Sequence, residues 1–127
     1  MIGEAKSVLI VDDSSIVRLY YREALEKEGF RVDGALNGIE ALEKLLVEPV
    51  DLLIVDINMP KMDGLSFLRA LRMKELPIAS IPALVTSTES TQKDIDAALE
   101  AGANYYLVKP IASETLTLYA TVLSGAA

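Results

Sequence analysis

The sequence predicts an α/β fold in which five parallel strands form one sheet with helices on both faces. Short apolar runs of four or five residues recur along the chain, which is typical of strands buried on both sides. Segments with apolar residues at helical spacing lie between these runs, so strand and helix alternate five times. With 127 residues, 51% of them hydrophobic and 24% charged, the chain suits a single domain of this kind. No linker or low-complexity segment divides it.

Two strand–helix units are predicted in the first part of the chain. They are a strand at Ser7–Val11, a helix from a Ser14 or Ser15 cap to Glu28, a strand at Phe30–Ala35, and a helix from an Asn37 cap to Pro49. Gly29 stops the first helix as glycines after helices commonly do. The inward stripes of the two helices are Val17, Tyr21, Ala24 and Leu25, then Ala41, Leu42, Leu45 and Leu46.

Three more strands and three helices follow. They are a strand at Leu52–Val55, a helix after the loop Ile57–Gly64 and before Pro77, a strand at Ile81–Val85, a helix at Thr91–Ala101, a strand at Tyr105–Val108 and a helix capped by Ser113. Asn58, Pro60 and Gly64 mark the loop by their turn chemistry. The stripes of the last two helices are Ile95, Ala98 and Leu99, then Leu116, Tyr119, Ala120 and Leu123.

Composition excludes several classes of chemistry. The chain has no cysteine and no histidine, which excludes disulfides, thiolate nucleophiles, histidine bases and imidazole metal sites. A bound metal must therefore have oxygen ligands, which favours magnesium, calcium or manganese. The net charge of −7 argues against a direct nucleic-acid surface. Met1–Lys6 has no signal-peptide character and no apolar run approaches a membrane span, so we expect a soluble cytoplasmic protein without membrane insertion.

Charged and polar side chains stand where the apolar runs end. Asp12 and Asp13 follow the first run, Asp56 follows the third, and later runs reach Thr86 and Lys109. The carboxyl ends of parallel strands share one edge of a sheet, where ligands bind in open α/β folds. Three carboxylates against one ammonium leave an excess of two negative charges, which a divalent cation would offset. The pattern predicts a small metal-dependent acidic site.

Each of these residues also has an ordinary structural interpretation. Asp12 or Asp13 alone can be a helix cap, Thr86 a strand end, and Lys109 a solvated residue after the last strand. A purely structural Asp56 would add repulsion at the edge of the core. The joint placement of all five at one edge favours a functional site.

The motifs as a set resemble those of two-component response-regulator receiver domains, most closely the stand-alone chemotaxis type. They are Val11-Asp12-Asp13-Ser14, the segment from Asp56 through Met59-Pro60 to Asp63-Gly64, Val85-Thr86-Ser87, and the segment from Ala101 to Lys109-Pro110. The resemblance covers about residues 7–123. It implies a flavodoxin-like, doubly wound (βα)5 fold with strand order 2-1-3-4-5, and a single receiver domain over residues 1–127 without an output domain.

The resemblance also implies roles for the acids. Asp56 would be the phospho-acceptor. Asp13, Asp56 and the backbone carbonyl of Asn58 would bind Mg²⁺, or Mn²⁺ in its place, with Asp12 acting through water. Asn58 and Thr88 would set how water reaches the acyl phosphate, and Thr88 stands where chemotaxis relatives carry an acid.

The same resemblance assigns the switch residues. Thr86 and Lys109 would bind the phosphoryl group, and the small Ser87 would keep access to it open. Tyr106, preferred over its neighbour by its position three residues before Lys109, would turn inward as Thr86 moves. Pro110 would follow a cis peptide bond and fix the Lys109 loop.

The function implied is that of a phospho-accepting switch. A histidine kinase or histidine phosphotransfer protein would supply the phosphoryl group, and the surface around the fourth helix, fifth strand and fifth helix would then control an unknown downstream partner or a phosphorelay. Such a domain is no enzyme beyond phosphorylating and dephosphorylating itself. We expect a monomer, because the last helix carries only Glu114 as a charge.

Three other functions fit the sequence less well. A Mg²⁺-dependent aspartyl-phosphate hydrolase would carry a second acid where this chain has Asn58, and it would need a larger domain. A flavin site would need a hydroxyl- and glycine-rich phosphate loop in place of the acidic segment after the first strand. An unphosphorylated interaction module would not need the complete acidic set.

Overall fold

The computed structural model describes residues 5–126 and contains one five-stranded sheet in the order β2-β1-β3-β4-β5. All four pairs of neighbouring strands are parallel. The elements are β1 (Ser7–Val11), α1 (Ser15–Glu26), β2 (Arg31–Ala35), α2 (Gly38–Val47), β3 (Leu52–Asp56), α3 (Gly64–Arg72), a 3₁₀ helix (Ile78–Ser80), β4 (Ala83–Ser87), α4 (Gln92–Ala101), β5 (Tyr105–Val108) and α5 (Ser113–Ser124). The predicted fold class and strand order are confirmed. Residues 1–4 and 127 of the predicted domain lie outside the described residues.

Side chains that alternate along the strands build a separate core on each face of the sheet. On one face, Leu9 and Leu53 pack with residues of α2, α3 and α4, among them Phe67. On the other face, Ile10 and Leu52 pack with residues of α1 and α5. The central strands β1 and β3 are therefore covered on both sides, which explains their unbroken apolar runs. Their carboxyl ends lie side by side where the strand order reverses.

Side-chain caps set the starts of most helices. The side chains of Ser14 and Asn37 accept hydrogen bonds from the backbone N–H groups of Val17 and Glu40, so these two predicted caps are confirmed. Thr91, predicted as the first helical residue, instead caps the fourth helix and accepts from the Asp94 N–H. The prediction that Ser113 caps the last helix is wrong. Ala112 holds that position without a side-chain hydrogen bond, and Ser113 is the first helical residue.

Two predicted helices end earlier than expected. The first ends at Glu26, because Glu28 and Gly29 form a tighter turn in which each N–H bonds to the carbonyl three residues back. Gly29 then adopts a φ of 92°, as a glycine that stops a helix does. The third helix ends at Arg72 instead of reaching Pro77, and the same kind of tight turn follows it. The 3₁₀ helix after Pro77 was not predicted.

The fourth strand and two helical stripes also differ from the prediction. β4 spans Ala83–Ser87, two residues later than expected, because ladder pairing with β3 starts at Ala83, after Pro82. Leu46 and Leu99, predicted to face inward, are 66% and 46% exposed. Each lies at the edge of a stripe that is narrower than the apolar pattern suggests.

No helix of residues 5–126 combines the length and the apolar character that crossing a lipid bilayer requires.

Arg72 joins three segments near the amino-terminal end of β4. Its guanidinium donates to the carbonyls of Ala79, Ile81 and Gly102 at 2.6–3.1 Å, and to Asn104 Oδ1 at 3.0 Å. A Cβ on Gly102 would lie 2.7 Å from Arg72 Cγ, so the glycine makes room for this side chain. The side chain thus ties the end of α3 to the entry of β4 and to the turn before β5.

We expect Arg72→Met to lower the free energy of unfolding by about 2–3 kcal/mol, because several carbonyls lose a charged donor. The matched control is Arg69→Met on the same helix, where the side chain is exposed and the change should stay within about 0.5 kcal/mol. Urea unfolding followed by circular dichroism measures both. Equal losses in the two variants would contradict this role of Arg72.

Candidate functional site

Three carboxylates meet at the carboxyl end of the sheet. Asp12 and Asp13 follow β1 directly, and Asp56 is the last residue of β3. One oxygen from each lies within 4.8 Å of the others. Asp12 and Asp56 are 1% and 8% exposed, whereas Asp13 is exposed. The structure therefore brings together the three acids that the sequence placed at one edge.

Lys109 reaches this cluster from the end of β5. Its Nζ lies 3.0 Å from Asp12 Oδ2 and 3.2 Å from Asp56 Oδ1. The lysine side chain is 18% exposed, so water screens both ion pairs only in part. One ammonium faces three carboxylates, and the cluster keeps an excess of negative charge.

Burial and charge shift the pKa values of this pair upward. Burial and the nearby Asp12 raise the pKa of Asp56, against the opposing effect of Lys109. For Lys109, burial lowers the pKa, but its contacts with Asp12 and Asp56 outweigh burial and raise it. The surroundings therefore favour the cationic form of Lys109 and only partly offset the cost of a negative charge on Asp56.

The ligand atoms at this edge fit a hard divalent cation. Asp12 Oδ1 accepts from the Ser14 N–H at 2.9 Å and Oδ2 binds Lys109, so both of its oxygens already have protein partners. Asp13 and Asp56 hold the remaining carboxylate oxygens. An all-oxygen set with few carboxylates suits Mg²⁺ or Mn²⁺, which keep several water ligands.

Thr86 lies beside Asp56 and is fully buried. The two residues are register partners on β4 and β3. Among the described residues, Thr86 Oγ1 has no hydrogen-bond partner. Leaving a buried hydroxyl unpaired costs about 1–3 kcal/mol. The hydroxyl is thus free to bind an acceptor that arrives at Asp56.

Ser87 and Thr88 follow Thr86 in the chain and differ in exposure. Ser87 is also buried, and its Oγ accepts from the Glu89 N–H at 3.0 Å. Thr88 is exposed and lines, together with Lys109, a cavity of about 390 Å³.

Tyr106 lies on β5, and Pro110 follows two residues after its end. The Tyr106 hydroxyl donates to the Glu89 carbonyl at 2.8 Å, which holds the ring against the loop after β4. The Lys109–Pro110 bond is cis, as the resemblance implied. Glu89 was not predicted to bind Tyr106, because this contact depends on how the loop folds back.

Asn58 is exposed in the loop that follows Asp56, and this loop closes tightly. The Gly64 N–H donates to the Ile57 carbonyl at 2.8 Å. A Cβ on Gly64 would lie 2.3 Å from the Asp56 carbonyl oxygen and 2.9 Å from Ile57 Cα. Only glycine therefore allows α3 to start this close to the end of β3.

Arg18 supports the site and was not predicted to do so. Its Nη1 donates to the Asp12 carbonyl, and its stem lies over Gly34, where a Cβ would be 3.0 Å from Arg18 Cδ. The signal in the sequence is weak, since an arginine on an amphipathic helix usually faces solvent.

We expect Gly64→Ala to destabilise the protein by about 1–3 kcal/mol, because the new methyl group meets rigid backbone. The control Gly34→Ala places its methyl group against the flexible Arg18 side chain and should cost less. Urea unfolding compares the two. A smaller loss for Gly64→Ala than for Gly34→Ala would contradict the close approach described above.

Comparisons with known proteins agree with this geometry. The chain matches the family described as "Response regulator receiver domain" over residues 8–121. It is 43% identical over 103 residues to the transcriptional regulatory protein PrrA of Mycobacterium tuberculosis, which covers 81% of this chain and 43% of PrrA. The chain thus spans less than half of the length of these curated relatives.

Solved structures with the same fold include a chemotaxis protein and a response regulator. Vibrio cholerae CheY4 is 34% identical, with a TM-score of 0.86, over 95% of this chain and 99% of its own. A structure described as a putative response regulator from Chloroflexus aurantiacus is 29% identical, with a TM-score of 0.89, over 96% and 99% of the two chains. Together with the acidic edge of the sheet, these matches show that the chain belongs to the receiver-domain family of two-component response regulators, which are signalling switches.

Proposed function

We propose that the protein is a phospho-accepting switch in which Asp56 receives a phosphoryl group from a histidine kinase or a histidine phosphotransfer protein. The observation that carries this proposal is the placement of Asp56. Its carboxylate is largely buried, lies beside two other carboxylates, and is 3.2 Å from the Lys109 ammonium. A single nucleophilic oxygen thus has a metal-ligand set and a cationic donor next to it.

The transfer breaks the phosphorus–nitrogen bond of the donor histidine and forms a phosphorus–oxygen bond to Asp56. The donor imidazole leaves with the electron pair. The Lys109 ammonium, which pairs with Asp12 and Asp56 in the structure, can bind an oxygen of the incoming phosphoryl group. When bound by Asp13, Asp56 and the Asn58 carbonyl, with Asp12 acting through water, Mg²⁺ would neutralise charge on the transferring oxygens.

Thr86 and Tyr106 would carry the signal to the surface. The phosphoryl group carries about 1.5–2 negative charges on three acceptor oxygens, while the bond to Asp56 removes the charge of the carboxylate. The unpaired Thr86 hydroxyl can donate to one of them. The Tyr106 hydroxyl would then lose its hydrogen bond to the Glu89 carbonyl, and the ring would turn inward. The phosphorylated and resting forms would differ around α4, β5 and α5.

This surface offers apolar groups to a downstream partner. Its exposed apolar side chains are those of Leu99, Tyr105, Val108, Leu118 and Val122. The only charged residue of α5 is Glu114, which leaves little basis for charge-paired dimers, so we propose a monomer that acts through a protein partner.

Hydrolysis would end the signal. Asn58, in the loop after β3, and Thr88, directly after β4, are both exposed and would set how water approaches the acyl phosphate. Self-phosphorylation and self-dephosphorylation are then the only chemistry that we assign to the protein.

We expect the protein to gain one phosphoryl group from acetyl phosphate and Mg²⁺, and Asp56→Asn to gain none. The matched control is Asp96→Asn, an exposed acid of α4 away from the site, which should be labelled like the wild type. Chelation of the metal should abolish labelling, because the acids then repel the donor. Intact-protein mass spectrometry measures the gain. Labelling of Asp56→Asn would contradict the assignment, and steady release of phosphate at high turnover would favour a hydrolase.

A second prediction concerns Tyr106. The chain has no tryptophan, so Tyr106→Trp provides a single fluorescent reporter at the switch position. We expect its emission to change with acetyl phosphate and Mg²⁺, and the change to disappear when Thr86→Ala is added. If the emission change persists in the Thr86→Ala background, residue 106 responds independently of Thr86, which would contradict the proposed order of events.

A further inference from the structure

Tyr21 is a buried tyrosine that the proposed switch does not use. It lies on α1 and is 3% exposed, with its ring in the core between the sheet, α1 and α5. In an apolar core, leucine or phenylalanine would serve as well, whereas a buried tyrosine hydroxyl usually has a polar neighbour. The place of this hydroxyl therefore matters.

Thr86 lies on the same face of the sheet as Tyr21. Successive side chains of β4 alternate between faces, so Thr86 shares a face with Leu84, which packs in the core with Tyr21. Tyr106 is the register partner of Val85 and packs against the opposite core. The tyrosine on the side of Thr86 is thus Tyr21.

Tyr21 borders both residues that would hold the phosphoryl group, because it packs in the core on the Thr86 face of the sheet and lines the same cavity as Lys109. Burial raises the pKa of Tyr21, while the charge of Lys109 and the hydroxyl of Thr86 lower it. In the resting arrangement Thr86 Oγ1 still makes no hydrogen bond of normal geometry. Tyr21 and Lys109 also line the cavity of about 390 Å³ beside the site, which leaves room for a small adjustment.

We propose that Tyr21 is a positioning residue of the switch, whose hydroxyl donates to Thr86 Oγ1 while Thr86 donates to the phosphoryl group on Asp56. This inference rests on the proposed function. A threonine hydroxyl has one donor and two acceptor sites, so it can make both bonds at once. In a chain of two such hydrogen bonds each hydroxyl polarises the next, so the bond from Tyr21 strengthens the bond from Thr86 to the phosphoryl group. Tyr21 would thus favour the phosphorylated arrangement.

A double-mutant cycle on the binding of beryllofluoride, a phosphoryl analogue, tests the role of Tyr21. The variants are Y21F, T86V and the double variant, titrated with beryllofluoride in excess Mg²⁺ and followed by NMR. We expect Y21F alone to weaken binding about 2- to 10-fold, the range of one hydrogen bond. In the T86V background, Y21F should change the affinity little, because the acceptor of its hydroxyl is gone.

The control is Y20F. The Tyr20 hydroxyl lies at the same cavity but donates to the Ile111 carbonyl at 3.2 Å, so its loss should leave the affinity unchanged. Thermal unfolding without ligand should show that both phenylalanine variants fold. Wild-type affinity for beryllofluoride in Y21F, or an equal loss of affinity from Y21F with and without T86V, would overturn the role of Tyr21 but not the proposed switch. A wild-type protein that binds no beryllofluoride would overturn the proposed switch as well.

Discussion

The structure depends on like charges that the fold holds at close range. Because β1 and β3 are neighbours in the centre of the sheet, Asp12, Asp13 and Asp56 lie together although their charges repel. The apolar cores on both faces supply the free energy that holds them there. Lys109 offsets one charge of the three. A site left short of positive charge attracts a cation strongly, so this edge of the sheet is suited to binding one.

The residues around the site serve this constraint. Gly64 lets the chain turn into α3 directly beside Asp56, and Arg18 places a cation on the carbonyl of Asp12. Neither residue is itself a metal ligand or a phosphoryl-binding group. Each instead contacts the backbone of an acidic residue of the site, Gly64 that of Asp56 and Arg18 that of Asp12. The acids can therefore stay close without the strands separating, because the backbone at each strand end is fixed by contacts of its own.

The sequence predicts what depends on local pattern and misses what depends on packing. Two-sided burial makes β1 and β3 visible as apolar runs, and the caps at Ser14 and Asn37 mark the helices that follow. The cluster of acids follows from the rule that parallel strands end at one edge. The contacts of Arg72, Arg18 and Glu89 each join segments that only the folded chain brings together. Leu46 and Leu99 belong to apolar patterns, and only packing shows that neighbours do not cover them.

The two tyrosines of the proposed switch lie on opposite faces of the sheet. Tyr106 lies on the face of the sheet covered by α2, α3 and α4, and Tyr21 lies on the face covered by α1 and α5. Thr86 is fully buried, its hydroxyl is unpaired, and it is the register partner of Asp56, so a new acceptor at Asp56 would engage it directly. A change passed through Tyr106 alters the loop after β4. A change passed through Tyr21 reaches α1. A change at Thr86 would therefore couple α1 to the surface around α4, β5 and α5.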